Sequence, residues 1–358
     1  MTVLAGHTVG RIRVLVADDS AVIRSALSRL LQSDKDIHVV GVAKDGLRAV
    51  QQVAALDPDV VTLDLEMPVM NGLEALQRIM RDYPRPVIMF SSLTVEGAEA
   101  TFDALALGAF DYVPKPVGYA SCAGVRDELI AKVRAAYASR MRRTAAPFPN
   151  VLQPPRNAPS QVLGNPMLVC VGCSTGGPAA LQRILPALPG EFPLPVLVVQ
   201  HMPPGFTAPF AYRLNALCAL KVQEASQGQL LEPHTVSIAP AGWQITLCRR
   251  GTKLAVNLSK EPSRMLHIPS VDVMMLSAAE VCGNQAIGVI LTGMGNDGER
   301  GMRALHACGA LTIGQDERSC AVYGMPRACA EQGILQHILP LEDIPRELLR
   351  AVSLQLAR

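Results

Sequence analysis

Two groups of polar residues stand out because each member closes, or follows within a short turn, an apolar run. Asp18 and Asp19 follow Ile12–Ala17, Asp64 follows Val60–Leu63, Ser91 follows Val87–Phe90, and Lys115 comes two residues after Phe110–Val113. Three carboxylates brought together repel one another unless a cation joins them, and an all-oxygen set of this kind suits Mg²⁺. With a hydroxyl and an ammonium beside them, they can hold a phosphoryl group. The second group is Ser174 in Gly172-Cys173-Ser174-Thr175-Gly176-Gly177, His201 after Pro195–Gln200, and Asp297 in Gly293-Met294-Gly295-Asn296-Asp297-Gly298. A serine, an imidazole and a carboxylate are the parts of nucleophilic acyl transfer.

Taken singly, these residues have plainer readings. One strand-end Asp is a helix cap or a solvated turn residue. The glycine-rich turn around Ser174 satisfies G-x-S-x-G, but a phosphate or dinucleotide fits such a turn equally well. His201 alone is equally a hydrogen-bonded turn residue, and Asp297 alone a turn cap. Convergence decides: each side chain falls at the carboxyl end of a strand, the edge where open parallel sheets bind ligands. The chain order Ser, His, Asp differs from that of α/β-hydrolases, chymotrypsin and subtilisin, which predicts a different fold carrying the same chemistry.

The elements that must position these residues follow from periodicity. From Arg11 to about Arg140, five apolar runs (Ile12–Ala17, His38–Ala43, Val60–Leu63, Val87–Phe90, Phe110–Val113) alternate with stretches of helical spacing such as Val22, Ile23, Leu27, Leu30 and Leu31. That pattern predicts a parallel sheet covered on both faces, with Ser20 capping the first helix. Residues 141–166 are rich in proline and lack periodicity, which predicts a semi-extended linker whose basic start frays off the preceding helix. Alternation resumes over 167–358, with runs Met167–Gly172, Pro195–Gln200, Val236–Ala239 and Gln285–Thr292 and a hairpin turning at Arg250–Gly251. The fold class is therefore α/β, two doubly wound domains: a (βα)5 unit and a Rossmann-like unit.

Composition narrows the function classes. The 358 residues are 49% hydrophobic and 18% charged, with a formal net charge of +2. Two cores can be built from this material, and there is no basic footprint for nucleic acid. No apolar run reaches the roughly 20 residues a bilayer span needs, and the first ten residues lack the pattern of a signal peptide, so a cytoplasmic protein with no membrane insertion is expected. Nine scattered cysteines read as reduced thiols, the Cys170/Cys173 pair included. A monomer is the expected state.

V-A-D-D-S, L-D-L-E-M-P-V-M-N-G, F-S-S-L-T and Y-V-P-K-P resemble the signatures of bacterial response-regulator receiver domains over about Arg11–Ala138. The resemblance implies phosphorylation of Asp64 by a histidine kinase. It also implies Mg²⁺ on Asp18, Asp19, Asp64 and the Glu66 carbonyl, with Ser91, Lys115 and Tyr112 as switch residues. G-C-S-T-G-G, Q-H-M-P-P-G-F-T, P-S-V-D-V, L-T-G-M-G-N-D-G and Y-G-M-P-R closely resemble the catalytic domain of chemotaxis protein-glutamate methylesterases over about Leu168–Val352. That resemblance implies Ser174, His201 and Asp297 as the triad, with no cofactor for the ester hydrolysis. The amides near Ser174 (Thr175) and at Met294 would form the oxyanion site. The implied substrates are glutamate methyl esters of chemoreceptors, with deamidation of selected glutamines. Two positions depart from the family pattern: Gln244 stands where members often have histidine, which puts substrate-binding detail in doubt, and Cys173 stands where alanine is usual.

Overall fold

The computed structural model describes residues 11–92, 94–115, 122–144 and 167–356. The chain divides into two compact units, 1–147 and 148–358.

In the first unit, strands β1 (Ile12–Ala17), β2 (Ile37–Ala43), β3 (Val60–Asp64), β4 (Val87–Ser91) and β5 (Asp111–Pro114) alternate with helices α1 (Ala21–Gln32), α2 (Gly46–Leu56), α3 (Gly72–Asp82), α4 (Val95–Ala106) and α5 (Cys122–Thr144). All strand pairs are parallel, in the order β2-β1-β3-β4-β5. β3 and β4 are buried along their whole length, as continuous apolar runs covered on both faces must be. Ser20 caps α1 by accepting from the Ile23 amide at 3.4 Å, and Asp45, Asn71 and Thr94 cap the next three helices in the same way. α5 buries Leu129, Val133 and Ala136 against Leu27, Leu31 and the strand residues Val14 and Phe90. The helix runs on to Thr144, so the first four residues assigned to the linker are helical. The rest of the linker, 145–166, lies outside the described residues.

The second unit contains β6 (Leu168–Cys173), α6 (Gly177–Ile184), β7 (Val196–Gln200), α7 (Thr207–Leu217), β8 (Lys221–Glu224) and β9 (Thr235–Ile238). The hairpin β10 (Gln244–Arg250) and β11 (Lys253–Ser259) leads to α8 (Val271–Cys282) and β12 (Ala286–Ile290). α9 (Glu299–Ala307), β13 (Leu311–Gln315), α10 (Met325–Glu331), β14 (His337–Leu339) and α11 (Ile344–Leu356) complete it. Seven strands form a parallel sheet in the order β14-β13-β12-β6-β7-β9-β8. The chain leaves β6 toward β7 on one side and later returns to place β12 on the other. The topological switch point therefore lies at β6, the strand that leads into Ser174. Among the described residues no helix is long and apolar enough to cross a membrane.

The hairpin turns where the sequence places it, with Arg250 paired to Lys253, and it packs over α8. Its first residue, Gln244, is fully buried. Gln244 donates through Nε2 to the carbonyls of Pro262 (3.2 Å) and His267 (3.3 Å), and its Oε1 accepts from the Ser270 amide at 2.8 Å. The residue that departs from the family pattern thus ties the 262–270 loop to the start of α8. Cys173, the other departure, is buried with Sγ 3.8 Å from the Val199 carbonyl. Burial pushes the thiols of Cys170 and Cys173 upward, which keeps both protonated.

Leucine at position 244 would leave the buried Ser270 amide and two carbonyls without this partner. Gln244→Leu is therefore expected to destabilise the second unit by about 1–3 kcal/mol. Trp243 is the only tryptophan of the chain and lies in this unit, so its fluorescence during urea unfolding of the full chain reports the change. An unchanged midpoint would show that the loop is held by other means.

Candidate active site

In the first unit the loop after β1 and the last residue of β3 bring Asp18, Asp19 and Asp64 together, with one carboxylate oxygen of each within 4.8 Å of the others. Asp18 and Asp64 are buried and Asp19 is exposed. Lys115 Nζ lies 2.6 Å from Asp64 Oδ2 and 3.6 Å from Asp18 Oδ2. Burial raises the Asp64 carboxyl to about 6 against the opposing Lys115 hydrogen bond, and the charge of Asp18 adds to the rise. Asp18 Oδ2 is buried with no hydrogen-bond partner, a surplus of acceptor that a divalent cation would satisfy. The residues present therefore fit Mg²⁺.

The expected switch residues occupy distinct places. Ser91 ends β4 with its hydroxyl turned to the carbonyls of Gly97 (2.9 Å) and Ser92 (3.1 Å), not to Asp64. Tyr112 is buried on β5, and Lys132 Nζ lies 5.2 Å from its ring centroid. The Glu66 amide donates to Asp64 Oδ1 at 3.3 Å, so its peptide borders the acidic cluster.

In the second unit the strand register sets the site. Cys173 on β6 pairs with Gln200 on β7, so Ser174 and His201 take the next position at the carboxyl ends of adjacent strands. The His201 amide donates to the Cys173 carbonyl at 3.1 Å. Gln200 Nε2 bridges the carbonyls of Ser174 (3.0 Å) and His201 (2.9 Å), pinning the two backbones to each other. The Ser174 turn needs its glycines. Gly176 has φ +77, and a Cβ on Gly177 would lie 2.0 Å from Gln200 Oε1.

Asp297 arrives from the loop after β12. Its Oδ2 lies 2.8 Å from His201 Nε2 and accepts from the Val271 amide at 2.7 Å. Its Oδ1 accepts from Ser270 Oγ (2.8 Å) and the Asp272 amide (3.0 Å). The carboxylate therefore sits at the N-terminus of α8, where amides and helix dipole favour negative charge. Burial alone would raise it. The bond to His201 and that residue's charge, helped by the Asp272 and Val271 amides, outweigh burial and lower it to about 2.

Since Nε2 faces a carboxylate, it carries the ring proton, and Nδ1 is the basic nitrogen. Nδ1 is buried without a hydrogen-bond partner, and Ser174 Oγ is not bonded to it in this structure. Such bonds often tighten only when substrate is present. The His267 ring stacks on His201, centroids 3.9 Å apart and planes 15° from parallel. Sequence reasoning missed His267 and Gln200. A signal for His267 was its position two residues before the P-S-V-D-V segment.

Met294 lies in the turn that packs on Ser174. A Cβ on Gly293 would come 2.9 Å from Ser174 Cβ, and the Gly293 carbonyl accepts from Gly324 (3.1 Å) and Met325 (2.9 Å). The Y-G-M-P-R segment thus holds this turn in place. The Ser174 amide is engaged by the Thr292 carbonyl at 3.0 Å. Among the described residues, the Thr175 and Met294 amides have no protein acceptor.

Comparison with known proteins agrees with this architecture. Residues 169–348 match the CheB methylesterase family, and residues 14–122 match the response regulator receiver domain. The chain is 44% identical over 353 residues to a protein-glutamate methylesterase/protein-glutamine glutaminase of Geobacter sulfurreducens, covering 95% of this chain and 97% of that protein. It is 41% identical to a protein of the same description from Pyrococcus abyssi, covering 96% and 94% of the two chains. Among solved structures, the Thermotoga maritima CheB methylesterase catalytic domain matches with a TM-score of 0.51 and 40% identity, over 52% of this chain and 99% of that one. The chain belongs to the CheB methylesterase family, with a response regulator receiver domain ahead of the catalytic domain.

Proposed function

We propose that this chain hydrolyses γ-methyl esters of glutamate side chains on chemoreceptors and deamidates selected receptor glutamines, under control of phosphorylation at Asp64. The observation that carries the reading is the His201–Asp297 pair, 2.8 Å long, standing beside Ser174 at the switch point of the sheet. The names of the full-length relatives support the same substrate chemistry.

His201 Nδ1 removes the Ser174 proton as Oγ attacks the ester carbonyl. The Thr175 and Met294 amides face the developing oxyanion, and Asp297 stabilises the imidazolium. The imidazolium protonates the leaving methoxide, so methanol departs and a glutamyl–Ser174 ester remains. Water, deprotonated by His201, cleaves that ester to a glutamate carboxylate and restores the serine. A glutamine amide follows the same route and releases ammonia.

In the receiver unit Asp64 is the phosphoacceptor for a chemotaxis histidine kinase. Asp18, Asp19, Asp64 and the Glu66 carbonyl would hold Mg²⁺, which supplies charge neutralisation for phosphoryl transfer. Lys115 would pair with the added phosphoryl oxygens, and Ser91 would turn its hydroxyl toward them. Tyr112 on β5 would relay the change. A monomer acting in the cytoplasm is consistent with this role.

Three variants test the reading. Ser174→Ala is expected to lower methanol release from methylated receptor membranes about a thousandfold or more, and substantial residual activity would reassign the nucleophile. Asp297→Asn should cut kcat by roughly 10³–10⁴. It should also flatten the acid limb of stability. The Asp297 carboxyl is held at about 2 against 3.8, so its contribution is complete above about pH 4 and drains as pH falls toward 2. Trp243 fluorescence follows this limb, and an unaltered limb in the variant would remove the linkage. Asp64→Asn should keep basal methanol release but lose stimulation by a small acyl phosphate. Equal stimulation of variant and parent would exclude Asp64 as the control point.

A further inference from the structure

Asp297 and Asp272 cap each other's helices. Asp297 sits at the start of α8 and takes the Asp272 amide. Asp272 is buried in the first turn of α8, and its Oδ1 accepts from the amides of Gly298 (3.0 Å) and Gly301 (2.9 Å) at the start of α9. Gly298 is the residue after Asp297, so one carboxylate oxygen fixes the peptide that carries the other carboxylate. A glycine turn with φ +99 at Gly298 has no side chain of its own to hold it.

The contacts around this clasp reach the nucleophile. Val271, between Ser270 and Asp272, packs on both flanks of the site. A Cβ on Gly172, two residues before Ser174, would lie 2.3 Å from Val271 Cγ1, and one on Gly298 would lie 2.8 Å from the same atom. Gly301 lets α9 approach closely, since a Cβ there would meet Met275 Cβ at 2.5 Å. The first turn of α8 is thus wedged between the end of β6 and the Asp297 turn.

On the esterase reading above, we infer that Asp272 is a positioning residue: its carboxylate oxygen, by holding the Gly298 and Gly301 amides, sets the place of Asp297 and hence the orientation of His201. It touches neither substrate nor the reacting atoms. What matters is an acceptor oxygen at that point in space, not its charge. Asparagine keeps the acceptor, glutamate keeps the charge but moves the acceptor by one methylene, and alanine removes it.

The test uses the full chain and methylated receptor membranes. Asp272→Ala is expected to lower kcat for methanol release about ten- to a hundredfold with KM within about twofold, the loss that an ångström-scale misplacement brings. Asp272→Asn should restore kcat to within about threefold of the parent, and Asp272→Glu should be as slow as the alanine variant. Proton NMR adds a readout that stability alone does not move: the downfield His201 Nε2–H resonance should persist in the asparagine variant and shift or vanish in the other two. An alanine variant with parental kcat and an intact resonance would overturn the proposal, even with a lowered unfolding midpoint. An asparagine variant as slow as alanine would also overturn it. If the alanine variant does not fold, the asparagine–glutamate pair decides, and parental kcat in the glutamate variant refutes the role. A parent that releases no methanol would instead defeat the esterase reading, while the resonances would still show whether Asp272 governs the His201–Asp297 bond.

Discussion

The geometry of the catalytic unit hangs on a single carboxylate, Asp297, held at a helix N-terminus with its side chain about a tenth exposed. Asp297 gathers one imidazole, one hydroxyl and two backbone amides within 3.0 Å. Removing a carboxylate from water is costly, and only a full set of donors makes it tolerable. Three of those donors come from Ser270, Val271 and Asp272 at the start of α8, so helix, hairpin and the Asp297 loop must be in register before the charge can be shielded from water. Ser270 shows this dependence: its side chain serves Asp297 while its amide is bound by Gln244 on the hairpin. The hairpin lies outside the seven-stranded sheet, yet it governs the sheet's functional edge through that one residue.

The receiver unit solves a related problem in a different way. Its strand-end carboxylates face each other, with one amide donating to each of Asp18 and Asp64, and Lys115 pairs with both. Asp18 Oδ2 remains without a hydrogen-bond partner, and the Asp64 carboxyl is raised where that of Asp297 is lowered. Fixed backbone donors give a permanent anion, suited to orienting a base. Acidic neighbours and one lysine give a site whose balance changes when charge is added, which suits a switch. The two units share an edge-of-sheet architecture and differ in how each resolves the charge.

Much of this was legible in the sequence because strand ends carry their signature locally. The apolar runs before Asp18, Asp64, Ser174 and His201 are continuous and end at polar residues, as buried parallel strands do. What escaped was either short or held by distant contacts. β8 is four residues long and partly exposed, and β14 is three residues long, so neither gives a periodic signal. β13 interrupts its apolar residues with Thr312 and Gly314. Gln200 looked like the polar end of a strand, and its role depends on two carbonyls that only the folded register brings beneath it. His267 meets His201 across a loop whose path is set by Gln244 rather than by any local pattern. Gln244 itself was flagged as a departure bearing on substrate, but its full burial and its three partners make it part of the scaffold.

The orientation of His201 has a consequence for the chemistry. In the familiar serine-protease arrangement Nδ1 faces the carboxylate and Nε2 the serine. Here Nε2 is bound to Asp297, so Nδ1 is the basic nitrogen. Nδ1 is nearer to the backbone, and the His201 backbone is tied to Cys173 by a peptide hydrogen bond and to Ser174 through Gln200. A base close to its own main chain gains little from side-chain swing, and the His267 ring against its face restricts it further. The element left to move is the Ser174 hydroxyl, on a half-buried side chain whose backbone is already engaged by Thr292. On the proposed esterase reading, rotation about one bond is the smallest change that would complete a proton path from Ser174 to His201 Nδ1, since the register already sets the two residues at the ends of neighbouring parallel strands.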